Sequence, residues 1–571
     1  MEKVWLKYYD KGVPPTIDYP QITLHRLLED TAKRFPESTA IIFPGALGDA
    51  YRLNYRQLND DANRMANALA GMGVQKGDRV ALLMPNCTQF VISYYAALKL
   101  GAIVVAFNPL YSPREIEHQL NDCEAKVIIV LSLFYKNLAE VRAKTKVQHV
   151  VVAYIKEYLP PVSRLLFTLL KEKKEGHRPN IGKPQNTYLF QDLLRKNEPK
   201  PQTVDVKPGD IALFQYTGGT TGISKGVVAT HRNVLANTLQ IKAWATEIGI
   251  VSGKDIVMGV MPLFHAYGMV TVMHFCVMEG LSMILLPRFV TEQVLKAINK
   301  YRPVFFPGVP TMYVAINNFP KVKKYDLKSV RACVSGAAPL PVEVQQKFEE
   351  LTHGKLVEGY GLSEAPVVVT CSPLMGKRKV GSIGIPFPDV EAKTVDLEKG
   401  EKEMGVGEIG ELIVKGPQVM KGYWNRPEET SMVLRNGWLY TGDIAKFDDE
   451  GFFFIVDRKK EMIIAGGYNI YPREVEEVLY EHEKIKEAAC YGVPDEYRGE
   501  TVKIAVVLKE GQTCTAEELT EYCKTKLAKY KVPKKIEFRK ELPKSPIGKV
   551  LRRVLVEEEK KKKQTGQGDK P

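Results

Sequence analysis

The residues from Tyr216 to Val227 hold four glycines, three threonines, one serine and one lysine, directly after the apolar run Ile211-Ala212-Leu213-Phe214. Glycines let a backbone turn sharply and aim several N–H groups at one point, a nest for phosphate oxygens. Threonine hydroxyls add donors or a metal ligand, and Lys225 adds a point charge. The order Ser224-Lys225-Gly226 is not the Gly-Lys-Ser/Thr of a Walker A loop. Three more strand-like runs end in small or acidic residues. These are Cys333-Val334-Ser335-Gly336-Ala337, Glu358-Gly359-Tyr360-Gly361-Leu362-Ser363-Glu364 and Trp438-Leu439-Tyr440-Thr441-Gly442-Asp443. Glycine turns at strand ends are where open parallel sheets hold ligands. An aromatic loop, Phe264-His265-Ala266-Tyr267-Gly268-Met269, reads equally as pocket wall or as structure. Gly405 to Gly410 matches G-x-G-x-x-G but precedes a strand and no helix, so it fails the context of a dinucleotide fingerprint.

These residues need a scaffold. Leu24, Leu27, Leu28, Thr31 and Phe35 fall on one helical face, and Leu58, Ala62, Met65 and Leu69 on another that stops at Gly71. Short apolar runs at 80–83, 103–106 and 127–131 alternate with such helices. That pattern predicts an α/β fold with parallel-rich sheets covered on both faces. Thr230-His231-Arg232-Asn233 opens a further helix, and Val304 to Thr311 reads as a strand running into a turn. From Val380 short strands and turns predict a β-rich subdomain. The charge run Asp457-Arg458-Lys459-Lys460-Glu461 between two apolar strands suits a hinge. The expected division is a large N-terminal domain at 1–456, with the β-rich part at about 380–456. A linker at 457–462 and a small mobile α+β domain at 463–556 follow. The charge blocks of 557–571 predict a disordered tail.

At 571 residues the chain exceeds one ordinary domain. Its net charge of +14 favours anionic partners, yet no nucleic-acid motif accompanies it, so nucleic acid is not expected. Eight cysteines without a CxxC pair predict reduced thiols and a cytoplasmic protein. The N-terminus lacks the apolar core of a signal peptide, and Met269–Pro287 is too broken by His274, Glu279 and Gly280 for a membrane span. Within 154–176, Val162, Leu165, Leu166, Leu169 and Leu170 share one helical face, followed by Lys171, Lys173 and Lys174. Such a helix either packs on the protein's own body or lies on an anionic membrane at its inner face. Oligomeric state is not legible, and a homodimer stays open.

Taken in order, the loop at 216–226, the aromatic loop at His265, Glu358–Glu364, Tyr440–Asp443, Asp457–Lys460 and the basic loop at Lys549 resemble the adenylate-forming enzymes: acyl-CoA synthetases, luciferase and peptide-synthetase adenylation domains. The wording Gln215 to Gly222 and Val414 to Met420 is similar to the bacterial long-chain fatty-acid–CoA ligase branch. Ser363 stands where the motif usually has threonine, and Ile223-Ser224 where x-Pro is frequent.

The resemblance implies ATP-dependent ligation of a long-chain fatty acid to coenzyme A through an acyl-adenylate, with Mg²⁺ as cofactor. It implies that Thr217, Gly218, Gly219, Thr220, Thr221, Gly222 and Lys225 hold phosphates, and that Thr220 and Glu364 ligate Mg²⁺. Gly336, Ala337, Glu358, Gly359, Tyr360 and Ser363 would bind the adenine side, and Asp443, Arg458 and Lys460 the ribose side and hinge. Lys549, Glu364 and His265 would be the catalytic set. Phe264, His265, Tyr267, Gly268, Met269 and Val309 would line the acyl pocket, with Gly268 leaving room for a chain, and Gly466, Gly467 and Tyr468 a pantetheine channel. Amino-acid-adenylating relatives carry aspartate where His265 stands, which argues against an amino-acid substrate. The alternatives are a medium-chain or aryl acid ligase, or a membrane-associated fatty-acid-binding protein without catalysis.

Overall fold

A computed structural model describes residues 3–182, 184–200, 203–217, 224–465, 468–495, 498–544 and 550–564. The chain divides into two compact units: Trp5–Glu391 with Lys415–Leu439, and Met1–Val4 with Ala392–Val414 and Tyr440–Pro571.

In the first unit the alternation of apolar runs and helices becomes an eight-stranded sheet. Its order is Gly422–Tyr423, Lys225–Thr230, Ile211–Thr217, Ile103–Ala106, Arg79–Leu83, Val127–Leu131, His149–Ala153 and Thr187–Leu189. Pairings from Ile211–Thr217 to Thr187–Leu189 are parallel, as the near-continuous apolar strands predict. Lys225–Thr230 returns antiparallel on Ile211–Thr217. Helices Leu24–Arg34, Tyr55–Gly71 and Thr88–Lys99 pack on one another, and Asn54 closes a capping box with Gln57. A second sheet pairs Thr39–Pro44 in parallel with Ser282–Leu285. A third pairs Ala332–Ser335 in parallel with Lys355–Gly361. Met269–Pro287 divides into the π-helix Met269–His274, the helix Phe275–Glu279 and the strand Ser282–Leu285, all buried. Among the described residues no helix is long and apolar enough to cross a membrane.

The stretch 304–311 departs from the expected strand. Only single bridges form at Phe305 and Gly308, and a helix begins at Pro310. Pro303, Pro307 and Pro310 cannot donate to a ladder.

In the second unit, strands Gly410–Lys415, Trp438–Phe447 and Phe453–Arg458 form one sheet. A five-stranded sheet follows, built on the long hairpin Ile485–Asp495 and Gly499–Leu508. One face buries Val475, Leu479, Leu519 and Cys523, and the other buries Leu542 and Leu555. Residues 392–414 and 440–456, read from sequence as N-terminal, thus group with the C-terminal part. Within this unit Asp457 Oδ2 accepts from the Arg473 N–H at 2.7 Å.

The tail also departs from expectation. A helix runs over Arg552–Gln564. Leu555 is fully buried, and Lys503–Glu559 and Arg539–Glu558 pair at 2.9 and 2.7 Å. The charge blocks find partners in the tertiary fold that composition cannot reveal. Residues 565–571 lie outside the described ones.

Candidate active site

The glycine–threonine stretch is the connection of a β-hairpin. Tyr216 pairs with Gly226 and Thr217 with Lys225, and the Ser224 hydroxyl donates to the Thr217 carbonyl at 2.6 Å. Gly218, Gly219, Thr220, Thr221 and Gly222 lie outside the described residues. Lys225 forms an ion pair with Glu429, and its ammonium sits 5.3 Å from the ring centre of Tyr423. The Tyr423 hydroxyl donates to Glu364 Oε1 at 2.9 Å. Burial, and then the Glu364 charge, raise the Tyr423 pKa, so the phenol keeps its proton. The short edge strand Gly422–Tyr423 pairs with Val227 and Val228. It brings together Lys225 and Glu364, which are far apart in the chain. A second anchor holds the hairpin: Tyr216 donates to Asp122 Oδ2 at 2.5 Å, and Asp122 pairs with Arg426 at 3.3 Å. Asp122, Tyr423, Arg426 and Glu429 were not singled out from sequence. The only signal was the polar run Tyr423-Trp424-Asn425-Arg426-Pro427-Glu428-Glu429 after an edge strand.

At the ends of the third sheet, Ser335 lies opposite Glu358. The Gly336 N–H donates to the Gly308 carbonyl at 3.2 Å, and Ala337 has φ +67°. A non-glycine residue in that region costs about 1–2 kcal/mol and marks a spot where the fold imposes the backbone. Glu358 Oε2 accepts from the Leu340 N–H at 3.2 Å. Gly359 and Tyr360 pair with Cys371 and Thr370, and Ser363 is half-buried just beyond.

His265 Nδ1 accepts from the Tyr267 N–H at 3.2 Å. Burial pulls its pKa down to about 4, so the ring is neutral near pH 7 with the proton on Nε2. The Tyr267 hydroxyl donates to the Val334 carbonyl at 2.6 Å, and Thr271 donates to the Tyr267 carbonyl at 2.5 Å. Phe264 offers its carbonyl to Gln215 at 3.1 Å. Met269 and Val309 are buried.

Gly268 does not leave room for a chain. A Cβ there would stand 2.4 Å from the Pro262 carbonyl oxygen, so the glycine serves close backbone approach. A small apolar cavity of about 30 Å³ is lined by Ile241, Trp244, Thr271, Phe305, Val334 and Val368. These residues come from separate elements, which hides them from a motif-based reading.

In the second unit, Asp443 is nearly fully buried and its Oδ1 accepts from Arg458 Nε at 2.7 Å. The Asp443 N–H donates to Thr441 Oγ1 at 3.1 Å, and the two strands set Asp443 opposite Arg458. Lys460 is exposed. Arg552 gathers three carboxylates: Glu461, Glu476 and, at 3.7 Å, Asp457. Burial opposes its charge, but Glu476, then Glu461 and Asp457, outweigh it and hold the guanidinium pKa above its usual value. Tyr468 begins the strand Tyr468–Ile470. Gly466, Gly467 and Lys549 lie outside the described residues.

Residues 28–424 match the family described as AMP-binding enzyme, and residues 474–549 match the AMP-binding enzyme C-terminal domain. The chain is 49% identical to a long-chain-fatty-acid–CoA ligase of Bacillus subtilis (strain 168), with 98% of each chain covered. It is 41% identical to the long-chain-fatty-acid–CoA ligase of Yersinia pestis, over 98% of this chain and 99% of that one. The crystal structure of ATP-bound MatB from Rhodopseudomonas palustris superposes with a TM-score of 0.81 at 29% identity, covering 94% of this chain and 99% of that one.

Proposed function

The chain belongs to the AMP-binding enzyme family, and from that membership we propose that it is a long-chain-fatty-acid–CoA ligase acting through an acyl-adenylate. One observation carries the reading: the 49% likeness to such a ligase extends over 98% of both chains. In the first half-reaction a carboxylate oxygen of the fatty acid attacks the α-phosphorus of ATP, and the bond to the leaving pyrophosphate breaks. In the second, the sulfur of coenzyme A attacks the acyl carbonyl carbon, its proton goes to solvent, and AMP leaves.

The central obstacle is the repulsion between a carboxylate and a triphosphate, so the site must supply donors and cations before chemistry begins. Lys225, with the residues of the 217–222 loop, fits the β- and γ-phosphates. Asp443, an acceptor-only group, fits a ribose diol, with Arg458 fixing its orientation. Gly336, Ala337 and Tyr360 fit the adenine. The half-buried Glu364 carboxylate is a hard oxygen donor suited to Mg²⁺, and Thr220 would be its companion. The ion, when bound, neutralises phosphate charge. A neutral His265 presents no counter-charge for a substrate ammonium. That supports an apolar acid over an amino acid.

Lys549, on the family's C-terminal domain, would bridge the carboxylate and the α-phosphate. Motion about a hinge at 457–462 would deliver it, and a second orientation of the 463–556 domain would bring the 466–468 segment to the pantetheine arm. Peripheral contact with an anionic membrane belongs to the same proposal.

The test is acyl-CoA formation and acid-dependent ATP–pyrophosphate exchange across acids from acetate to oleate and an aryl series. The expected result is activity rising toward long chains. A maximum on aryl or medium-chain acids would move the enzyme to the alternative substrate class. Exchange at background with every acid would leave only a binding protein.

A further inference from the structure

The helix Pro161–Leu170 is mounted with its apolar face outward. Its one buried residue is Ser163, whose hydroxyl donates to Asp49 Oδ1 at 2.7 Å. Arg164 donates to the Glu157 carbonyl at 2.8 Å, Lys156 pairs with the buried Glu172 at 2.6 Å, and Phe167 stands edge-on to His177 at 5.1 Å. These contacts fix the helix on the body. Val162, Leu165, Leu169 and Leu170 are left 57%, 58%, 71% and 66% exposed. Leu47, two residues from the Asp49 that holds Ser163, is 61% exposed. A helix that only completes a fold turns its apolar stripe inward, and contiguous exposed apolar surface marks an interaction site. Exposed Lys171, Lys173 and Lys174 follow immediately.

We propose that this face is the membrane foot of the protein, with the leucines entering the headgroup–acyl boundary of an anionic bilayer and the lysines meeting its phosphates. The proposal rests on the membrane contact included in the functional reading, and gives it a location and a lipid chemistry. The lysines decide between occupants: they attract a phosphate-bearing surface and repel a second copy carrying the same charges.

The experiment uses the full chain, sedimented with vesicles of phosphatidylcholine alone or of phosphatidylcholine with phosphatidylglycerol. The wild type should pellet with the anionic vesicles and release as salt rises. Leu165→Ser with Leu169→Ser should lower the partition coefficient about tenfold or more. Lys173→Gln with Lys174→Gln should lower it roughly fivefold per lysine, on anionic vesicles alone. Because these side chains are exposed, both variants should melt like the wild type and ligate a detergent-dispersed acid at the wild-type rate.

A wild type that stays in the supernatant would remove the membrane contact altogether while leaving the ligase assay to stand by itself. Undiminished pelleting of the double serine variant would remove this helix as the foot. A change in mass by light scattering, with vesicle binding intact, would assign the face to a second copy instead.

Discussion

Lys225 flanks the loop expected to receive phosphate, and it forms an ion pair with Glu429. The pair is partly exposed, with side chains at 19% and 34%. Solvent screens such pairs to about 0.2–1 kcal/mol, little enough for a triphosphate to displace. On the proposed role of Lys225, Glu429 is an anion that ATP would have to outcompete. Glu429→Gln should therefore lower the KM for ATP by up to about fivefold, with the KM for fatty acid unchanged, in steady-state kinetics at saturating coenzyme A. A raised KM for ATP would instead make Glu429 a positioning residue for the hairpin. Tyr423 works beside it: one phenol lies against the lysine and donates to Glu364, so a single edge-strand residue sets the spacing of two groups proposed to act at one triphosphate.

At the level of elements, the decisive arrangement is Arg552 on three carboxylates. Asp457 and Glu461 belong to the expected hinge and Glu476 to the helix Pro472–Tyr480, while Arg552 itself follows Lys549 by three positions. The guanidinium ties the start of the helix Arg552–Gln564 to the expected linker. Removing a buried partner of this kind costs about 3–5 kcal/mol, so Arg552→Gln is a poor probe because it threatens the fold. Glu461→Gln loosens only the linker side. It should slow ATP–pyrophosphate exchange several-fold while thioester formation from supplied acyl-AMP and the melting temperature hold. Lys549→Ala should show the same split in extreme form, and equal loss of both half-reactions in either variant would sink the hinge account. Elements carried by local pattern were legible in the sequence. The apolar runs at 80–83, 103–106 and 127–131 are strands, and Thr230 caps the helix that opens at His231. What was not legible depends on partners far along the chain. Glu429 answers to Lys225, Lys503 to Glu559, and the cavity wall is assembled from six separate stretches. Gly268 reads as space in a motif and proves to be a close approach to Pro262, because a missing Cβ says nothing about what stands opposite it.

On the scale of the whole molecule, the first unit buries imidazoles that the unfolded chain would expose. Burial pulls His25 and His265 down to about 4, and His231 and His274 to about 3. Their surroundings explain why they stay neutral. His231 Nδ1 accepts from the Leu24 N–H at 3.2 Å, and His274 lies between the hydroxyls of Tyr94 and Tyr95 at 2.9 and 3.1 Å. The sign follows from proton counting. Below about pH 6.5 the unfolded chain takes up protons on these rings, whereas the folded chain does not until the pH approaches 4 to 3. The unfolded state binds more protons throughout that window, so stability rises with pH and is lost on acidification. Each ring contributes at most about 1.4 kcal/mol per pH unit. Two buried carboxyls of the same unit oppose them: burial raises Asp61 to about 6 and Glu157 to about 7, so the folded state holds protons there that the unfolded state has lost, and the net loss is about half the sum of the four rings. Urea unfolding of the full chain, followed by tryptophan fluorescence, should therefore show the midpoint of the first unit falling between pH 6.5 and pH 4.5. His274→Gln, which keeps a neutral hydrogen-bonding group between the two tyrosines, should flatten that slope by about one proton. A slope indifferent to His274 would mean that this ring is protonated in the folded protein.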